Sequence, residues 1–563
     1  MCRNATQLKR SVVRTNLSTV MLTAVISLSG CQTGAETALP PVVKPNNANF
    51  PQTTNSITAV ANGKRRDPEG VAAESSVNKV TWKDARGADR SMVLGGYLYQ
   101  YDFTFNDNLM DVSRTANDDA YGHEGFGYVV SHNNQNGNSP LGKSNTPSKV
   151  ETRVLAGGHH ALHRVELVYD RDREGGGNGI RIPVVIEWLV ATGRDHPVWS
   201  VTWRTGAATN PGTSLDMYRM DSRAPYGSLN YDGAVNRNSG DAIGGVSWGD
   251  AGFKFTTTDA QLTLNSPWTY DTANTVNFTR SWTATINAEM GIVQTKVLDK
   301  EMGYGDRVVG RERGKTSAAA FTNKGDCVGF SDPRVYSLPC VNGWPYQLMN
   351  YDWDPGTGKP AIEATGTKLM AWGTPYGFLG SSSFGNMDNS GNADGRGDRS
   401  YATFIVLGPK NRFNAVTAKY ELDGDVALTI KAVEALAAAK IAPTAPFTLA
   451  TQAPRGPGAT DQKTLVNGYN DTRTAYELVA LNNQSLFTFT PATGKPVTSP
   501  IFVLRNYTSG KLPTITINGA AVTVNDGTPT SGTFVSLNEA DQELWVTVNS
   551  KISAATTVAI ASP

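Results

Sequence analysis

Alternation of apolar and polar residues with a period of two is the feature that most constrains the fold of this chain. In Tyr97–Phe105 every odd position is aromatic, and His159–Tyr169 and Val198–Trp203 alternate in the same way, while Ile182–Val190 is almost continuously apolar. A period of two places alternate side chains on one face of a strand. Clusters of Gly, Asn, Asp and Pro separate these segments, and no helical pattern intervenes. The pattern excludes a doubly wound α/β fold and predicts an all-β fold, with a large antiparallel sandwich of extended sheets over residues 76–424.

A different pattern follows this β region. Val426–Lys440 is rich in alanine and has apolar residues near helical spacing, and Asp425 is a candidate to cap its start. Residues 425–463 are therefore predicted to be a connector helix and linker. Six short strands and the turn dipeptide Asn518-Gly519 follow, which predicts a small immunoglobulin-like β-sandwich over residues 464–563.

The first thirty residues are unlike the rest. A basic start precedes the apolar run Leu17–Leu28, which is long enough for a signal-peptide core and too short to span a bilayer. Leu28-Ser29-Gly30-Cys31 resembles the lipobox of bacterial lipoproteins. The resemblance implies a lipoprotein signal peptide over residues 1–30, lipid on Cys31 and attachment to a membrane. Gln32 in place of aspartate implies the outer membrane, and an ordinary secretory signal is the alternative.

Residues 31–75 carry Pro40, Pro41, Pro45 and Pro51 among small polar residues, which predicts a flexible tether. Export also bears on the remaining cysteines. Cys327 and Cys340 lie close together in a polar stretch, so a disulfide is the natural expectation in an oxidising compartment.

Net charge restricts the partners. The formal charge is +1 and charged residues make up 18% of the chain, without a basic stripe. This balance argues against nucleic acid and favours a neutral or weakly charged partner.

The layout of lipoprotein signal, large β body, short connector and small sandwich resembles carbohydrate-active proteins of the galactose-mutarotase-like supersandwich type. The resemblance covers nearly the whole chain in layout and contains no diagnostic motif. It implies a polysaccharide or oligosaccharide as partner, and no catalytic residue is carried over from it.

Two loop regions carry the residue types that glycan cleavage needs. Hydrolysis requires two carboxyl groups and aromatic rings to stack on sugars, and elimination requires a base and a cation. The catalytic candidates are Asp221, Tyr226, Asp232, Asp352 and His163, and the substrate-binding candidates are Arg223, Trp344, Tyr346 and Trp353. The alternative for the candidates between residues 216 and 250 is a long solvated loop. For those between 343 and 354 it is ordinary rim packing, and for the histidine it is a plain polar strand position.

Two further motifs are weaker. Asp388, Asp394 and Asp398 alternate with other oxygen-bearing side chains, which makes calcium the candidate metal, although the segment departs from the EF-hand pattern and a flexible loop is the alternative. Gly245–Gly249 matches G-x-S-x-G around Ser247, but a nucleophile elbow needs a helix after the serine and the following residues favour a strand.

The sequence thus predicts an outer-membrane or cell-envelope lipoprotein that cleaves a polysaccharide, as a glycoside hydrolase or a polysaccharide lyase, with no required cofactor. A non-catalytic glycan-binding or envelope-assembly lipoprotein is the alternative. An esterase acting through Ser247 is a third hypothesis.

Overall fold

The computed structural model describes many separate segments of the chain. These are residues 42–43, 47–64, 76–95, 98–105, 108–113, 147–171, 180–204, 207, 227–231, 243–250, 253–256, 278–283, 287, 289–295, 352–354, 359–361, 369–370, 399–414, 419–421, 424–451, 465–528 and 531–563. All of them belong to one compact unit, Leu39–Pro563.

The part of this unit that precedes residue 424 is built from strands. They are β1 (Val42–Val43), β2 (Thr58–Lys64), β3 (Ser76–Lys83), β4 (Asp89–Gly95), β5 (Leu98–Phe105), β6 (Asn108–Ser113), β7 (Pro147–Val154), β8 (His160–Arg171), β9 (Ile180–Ala191), β10 (Val198–Trp203), β11 (Gly227–Tyr231), β12 (Ile243–Asp250), β13 (Phe253–Thr256), β14 (Phe278–Thr283), β15 (Glu289–Gln294), β16 (Asp352–Asp354), β17 (Lys359–Ala361), β18 (Leu369–Met370), β19 (Arg399–Gly408), β20 (Arg412–Asn414) and β21 (Lys419–Glu421).

Two large sheets organise these strands. The ten-stranded sheet has the order β1-β7-β8-β9-β10-β19-β15-β14-β12-β13, and the seven-stranded sheet has the order β18-β11-β6-β5-β4-β3-β2. Their pairings are antiparallel except that of β1 with β7. The central strand β9 is buried from Val184 to Ala191, which explains its continuous apolar run, because a strand covered on both faces has no solvent side. The prediction of an all-β fold is confirmed.

The described part of the chain has one α-helix, α1 (Asp425–Ala438), as the alanine-rich pattern predicted. Its N-cap is Gly424, not Asp425, and no side chain of the cap residue bonds to the first turn. Glu289 supplies the missing acceptor instead, because its Oε1 accepts the N–H of Val426 at 2.7 Å. The prediction that Asp425 caps the helix is therefore wrong, and its carboxylate lies near Arg86, Arg90 and His196 instead.

The chain after α1 forms a second set of strands. They are β22 (Lys440–Pro443), β23 (Thr448–Leu449), β24 (Tyr469–Asn470), β25 (Ala475–Val479), β26 (Gln484–Thr490), β27 (Val497–Thr498), β28 (Ile501–Arg505), β29 (Thr514–Ile517), β30 (Ala520–Val522), β31 (Gly532–Asn538), β32 (Glu543–Asn549), β33 (Lys551–Ile552) and β34 (Thr556–Ala561).

These strands form a two-sheet C-terminal sandwich. A five-stranded sheet, β22-β26-β34-β29-β30, faces a sheet with the order β23-β25-β28-β32-β31, to which β24 is added beside β25. The predicted hairpin turn is confirmed: Asn518 and Gly519 have φ values of 50° and 80° and join β29 to β30. The sandwich begins at β22 and not at residue 464, since β22 and β23 pair with β26 and β25.

The C-terminal sandwich packs against the ten-stranded sheet. All seven positions of β32 are buried. Leu544, Val546 and Val548 point into the sandwich core, while Trp545 joins a second apolar cluster with Leu189 of β9. The second cluster also contains residues of β28 and α1. The sandwich is therefore an integral part of the body, because one of its sheets is covered on both faces.

An ion cluster, here named the Arg473 cluster, lies at this interface. Arg473 Nη1 is 2.9 Å from Glu543 Oε1 and 4.0 Å from Glu477 Oε1, and its Nε is 3.4 Å from Glu187 Oε1 of β9. The guanidinium carbon also lies 5.3 Å from the ring centre of Trp545. Burial alone would lower the pKa of Arg473, but the three glutamates outweigh it and raise the pKa.

Residues 47–64 correct the predicted tether. Phe50 is 2% exposed and packs in the core of the C-terminal sandwich, and Ile57 is 1% exposed. Asn55 Nδ2 donates to the carbonyl of Gly527 at 2.6 Å. A flexible tether cannot include this segment, because a few apolar side chains in a polar sequence suffice to fix it between the sheets.

Candidate functional site

A cavity of about 610 Å³ opens where α1, the turn between β9 and β10, and the C-terminal sandwich meet. The turn contributes Gly193 to His196, the helix contributes Asp425 to Leu436, and the sandwich contributes the loop before β27 and the start of β33. Each of the three parts supplies charged side chains. Charged side chains from three distant segments therefore line one space of ligand size.

His196 lies on the wall of this cavity and is 6% exposed. Its Nε2 is 3.3 Å from Oδ2 of Asp425, which is fully buried. Burial lowers the pKa of His196, although the contact with Asp425 acts in the opposite direction, so the imidazole is neutral at pH 7. Because a carboxylate oxygen can only accept, the proton is placed on Nε2 and the lone pair on Nδ1. Among the described residues, Nδ1 has no hydrogen-bond partner.

Two arginines balance the carboxylates beneath His196. Arg90 Nε is 3.1 Å from Asp84 Oδ2, and its Nη2 is 3.7 Å from Asp425 Oδ2. Arg86 Nη2 lies 3.3 Å from Asp84 Oδ2 and 4.0 Å from Asp425 Oδ2. Asp195 Oδ1 accepts the N–H of Ala85 at 3.0 Å. Burial acts to raise the pKa of Asp195, but nearby cations, Arg90 first and then Arg86, act to lower it, and the net shift is downward.

Asp195, His196 and Asp425 also offer one metal-ligand atom each, all within 4.8 Å of one another. A divalent cation at this point would meet the guanidinium groups of Arg90 and Arg86, which already bring positive charge to these carboxylates. The arrangement fits an acid–base pair better than a metal centre.

Glycines leave the space that the side chains of Asp425 and Glu289 occupy. A Cβ on Gly408 would overlap the carboxylate of Asp425, and a Cβ on Gly424 would overlap Glu289. Gly193 has a φ of +84°, which the tight turn before His196 requires. The position of Asp425 thus depends on small residues at the end of β19 and before α1.

The predicted site residues are only partly described. His163 lies on β8, is 2% exposed, and has its Nδ1 2.8 Å from Thr152 Oγ1. It does not line the cavity. Asp352 and Trp353 lie in β16, which pairs with β17. The other predicted catalytic, binding, metal, lipidation and disulfide residues lie outside the described residues: Asp221, Arg223, Tyr226, Asp232, Trp344, Tyr346, Asp388, Asp394, Asp398, Cys31, Cys327 and Cys340.

Two neighbouring histidines hold the interface. His160 Nδ1 is 3.0 Å from Ser536 Oγ and its Nε2 is 2.8 Å from Thr547 Oγ1. The ring of His159 stacks on Phe534 with the ring centres 4.8 Å apart. Burial lowers the pKa of both, that of His159 to about 4. These contacts join the ten-stranded sheet to the C-terminal sandwich.

Ser247 does not have the surroundings of a nucleophile elbow. It lies inside β12, and the next described element is β13, in which Thr256 is paired with Ser247. The strand that the sequence favoured after the G-x-S-x-G motif is present, and a helix is required there.

Sequence reasoning missed His196 and gave Asp425 another role. The only local signal was a short polar run, Arg194-Asp195-His196, between two apolar strands. Such a run normally marks a solvated turn.

Comparison with known proteins assigns no family to the chain, so the interpretation of the cavity rests on its geometry. No family model matches the chain, and no curated protein matches it either. Among the described residues, none of the helices combines the length and the apolarity needed to cross a bilayer.

Proposed function

We propose that the chain is a cell-envelope protein that cleaves a polysaccharide, and that the cavity beside His196 is its active site. The observation that supports this most directly is a neutral imidazole whose Nε2 faces Asp425 and whose Nδ1 has no hydrogen-bond partner among the described residues. An imidazole oriented by a carboxylate is a common general base near neutral pH.

The base would act on a proton of water or of a sugar ring. In hydrolysis His196 Nδ1 would take a proton from the attacking water while the glycosidic C–O bond breaks. In elimination it would take the proton next to a sugar carboxylate while a C=C bond forms and the C–O bond β to that carboxylate breaks. In both reactions the imidazolium would return the proton to the leaving oxygen. Asp425 would hold the ring and stabilise the imidazolium that forms, as an orienting carboxylate does. Both reactions need a substrate bound in the cavity. Without a substrate, His196 is buried in the cavity wall.

The test uses the full chain in detergent, incubated with a panel of polysaccharides. New reducing ends alone indicate hydrolysis, and added ultraviolet absorbance from an unsaturated sugar indicates elimination. We expect His196→Gln to reduce the rate about 100-fold or more. His163→Gln is the matched control, and both variants are first checked for an unchanged melting temperature. Full activity of His196→Gln would place the reaction elsewhere.

Attachment to the envelope is part of the same proposal. The lipobox-like sequence that ends at Cys31 supports lipid attachment and a location at the outer membrane. Metabolic labelling with a fatty acid tests this, because Cys31 is the only acceptor that the motif offers.

A non-catalytic glycan-binding or assembly role is the second candidate. It is favoured by the burial of the cluster, since Asp425 is fully buried and lies near two arginines, as in a structural ion network. Binding of a glycan without any product across the panel, by a folded protein, would support this role over cleavage.

A further inference from the structure

Arg194 is a half-buried cation on the cavity wall, and its described hydrogen-bond partners are all neutral. Its Nη2 donates to the carbonyls of Thr474 at 3.0 Å and Ser499 at 3.3 Å, and its Nη1 donates to the hydroxyl of Thr474. No carboxylate pairs with it in the described part of the chain. Burial lowers the pKa of Arg194 to about 10, so the side chain stays charged at neutral pH.

A half-buried charge of this kind is stabilised by a counter-charge. Removing a guanidinium from water is costly, and proteins normally offset the cost with a carboxylate. Three carbonyl and hydroxyl contacts offset part of it and use three of the five guanidinium donors. An anionic group that enters the cavity would supply the missing counter-charge.

The mouth of the cavity also carries positively charged side chains. Lys431 of α1, Lys495 of the loop before β27 and Lys551 of β33 all line it. The one acidic side chain among them is Glu434, whose Oε2 is 3.6 Å from Lys495 Nζ. Asp195 and Asp425 also line the cavity, and Arg90 and Arg86 lie close to these two carboxylates. Among the described residues, three lysines and one glutamate therefore carry the charge of the mouth.

We propose that the cavity binds an acidic polysaccharide, with a carboxylate or sulfate group directed at Arg194 and the surrounding lysines. This rests on the proposed function for the kind of ligand and goes beyond it in naming the substrate class. It also replaces the expectation of a neutral or weakly charged partner, which followed from the overall net charge of +1. A net charge near zero for the whole chain is compatible with a locally positive region where positive side chains from three elements converge.

Binding tests this directly. The full chain in detergent is titrated by calorimetry with a polyuronate, a sulfated dextran and unmodified dextran at two salt concentrations. We expect an acidic glycan to bind at least tenfold more tightly than dextran, and its affinity to fall at higher salt because exposed charges are screened. A preference for the polyuronate identifies the carboxylate as the group, and a preference for the sulfated chain identifies the sulfate.

Two exposed lysines provide variants that keep the fold. Lys431→Glu and Lys551→Glu should each weaken binding of the acidic glycan about tenfold, which corresponds to about 1.4 kcal/mol. Lys511→Glu is the matched control, since Lys511 is exposed and does not line the cavity. Arg194→Met should cause a larger loss, provided that its melting temperature shows it to be folded.

The outcomes separate this inference from the proposed function. The acidic substrate class would be overturned if acidic and neutral glycans bound equally, or if no glycan bound. It would also be overturned if the lysine variants behaved like Lys511→Glu. Cleavage of a neutral glycan that depends on His196 would also overturn it, and would leave the proposed function standing. Lysine-dependent binding of the acidic glycan without any cleavage would support the acidic class and refute cleavage.

Discussion

We expect Arg473→Met to destabilise the chain by about 3 kcal/mol, because it leaves buried carboxylates without their common cation. Arg473 is 4% exposed and lies within 4.0 Å of Glu187, Glu477 and Glu543, which are themselves almost fully buried. Methionine keeps much of the side-chain volume and removes the charge. The change therefore isolates the electrostatic part of the interface.

The size of this destabilisation depends on the contacts that the three glutamates keep after the substitution. Breaking a buried ion pair from one side usually costs about 3–5 kcal/mol. Here Glu187 keeps Arg164, whose Nη2 lies 2.8 Å away, and Glu477 keeps Arg505 at 2.6 Å. Glu543 is left with weaker contacts, among them the Trp545 Nε1 at 3.1 Å. The expected cost is therefore at the lower end of the range.

Urea unfolding followed by tryptophan fluorescence measures the effect. The matched control is Lys83→Met, because Lys83 pairs with Asp89 at 2.8 Å on the surface and such pairs contribute less than about 1 kcal/mol. Adding Glu543→Gln to Arg473→Met should recover part of the loss, which would show the coupling. If Arg473→Met unfolded at the same urea concentration as Lys83→Met, the Arg473 cluster would not hold the interface.

Three other consequences can be measured. Burial lowers the pKa of His159 to about 4, so protonation of this side chain destabilises the folded state. The free energy of unfolding should therefore be unaffected by His159 above pH 6.5 and should fall by about 3 kcal/mol as the pH drops toward 4. His159→Gln should reduce this pH dependence in urea unfolding. Gly408→Ala should cost about 1–3 kcal/mol because its methyl group overlaps Asp425, whereas Gly510→Ala, with open space around it, should unfold like the wild type. Cys31→Ser should abolish fatty-acid labelling and move the protein from the membrane fraction to the soluble fraction, and unchanged labelling would refute the lipobox assignment.

Strand positions could be predicted wherever the alternation is strong. Val198–Trp203 is β10 with both ends correct. The alternating segment His159–Tyr169 coincides with β8, which spans His160–Arg171. These segments succeed because a period of two is a local property that backbone geometry converts directly into one face of a strand.

Burial of the second face could not be predicted. In β32 the alternation of Glu543, Trp545 and Thr547 with apolar residues is typical of a strand that has one solvated side. The structure covers that side with the ten-stranded sheet. Its polar groups contact His160 of β8 and Arg473, which lies before β25. Polar residues satisfied by a distant segment have the same local sequence pattern as polar residues satisfied by water.

The candidate site was missed for a related reason. His196 and Asp425 belong to a turn and to the first residue of a helix, positions where charged residues are ordinary. Their significance depends on the contact between them, and that contact requires Gly408 and the docking of α1 on β15 and β19. Neither condition is encoded near either residue.

The C-terminal sandwich is therefore more than an appended module. It supplies Lys495 and Lys551 to the mouth of the cavity and the two carbonyl acceptors that fix Arg194 on its wall. Loss of docking would remove these groups while leaving His196 on its own turn. If the cavity binds an acidic glycan as proposed, a variant that weakens the Arg473 cluster should lose affinity for it at urea concentrations below those that unfold the ten-stranded sheet. The reason is that the proposed ligand site includes residues that the docked sandwich supplies.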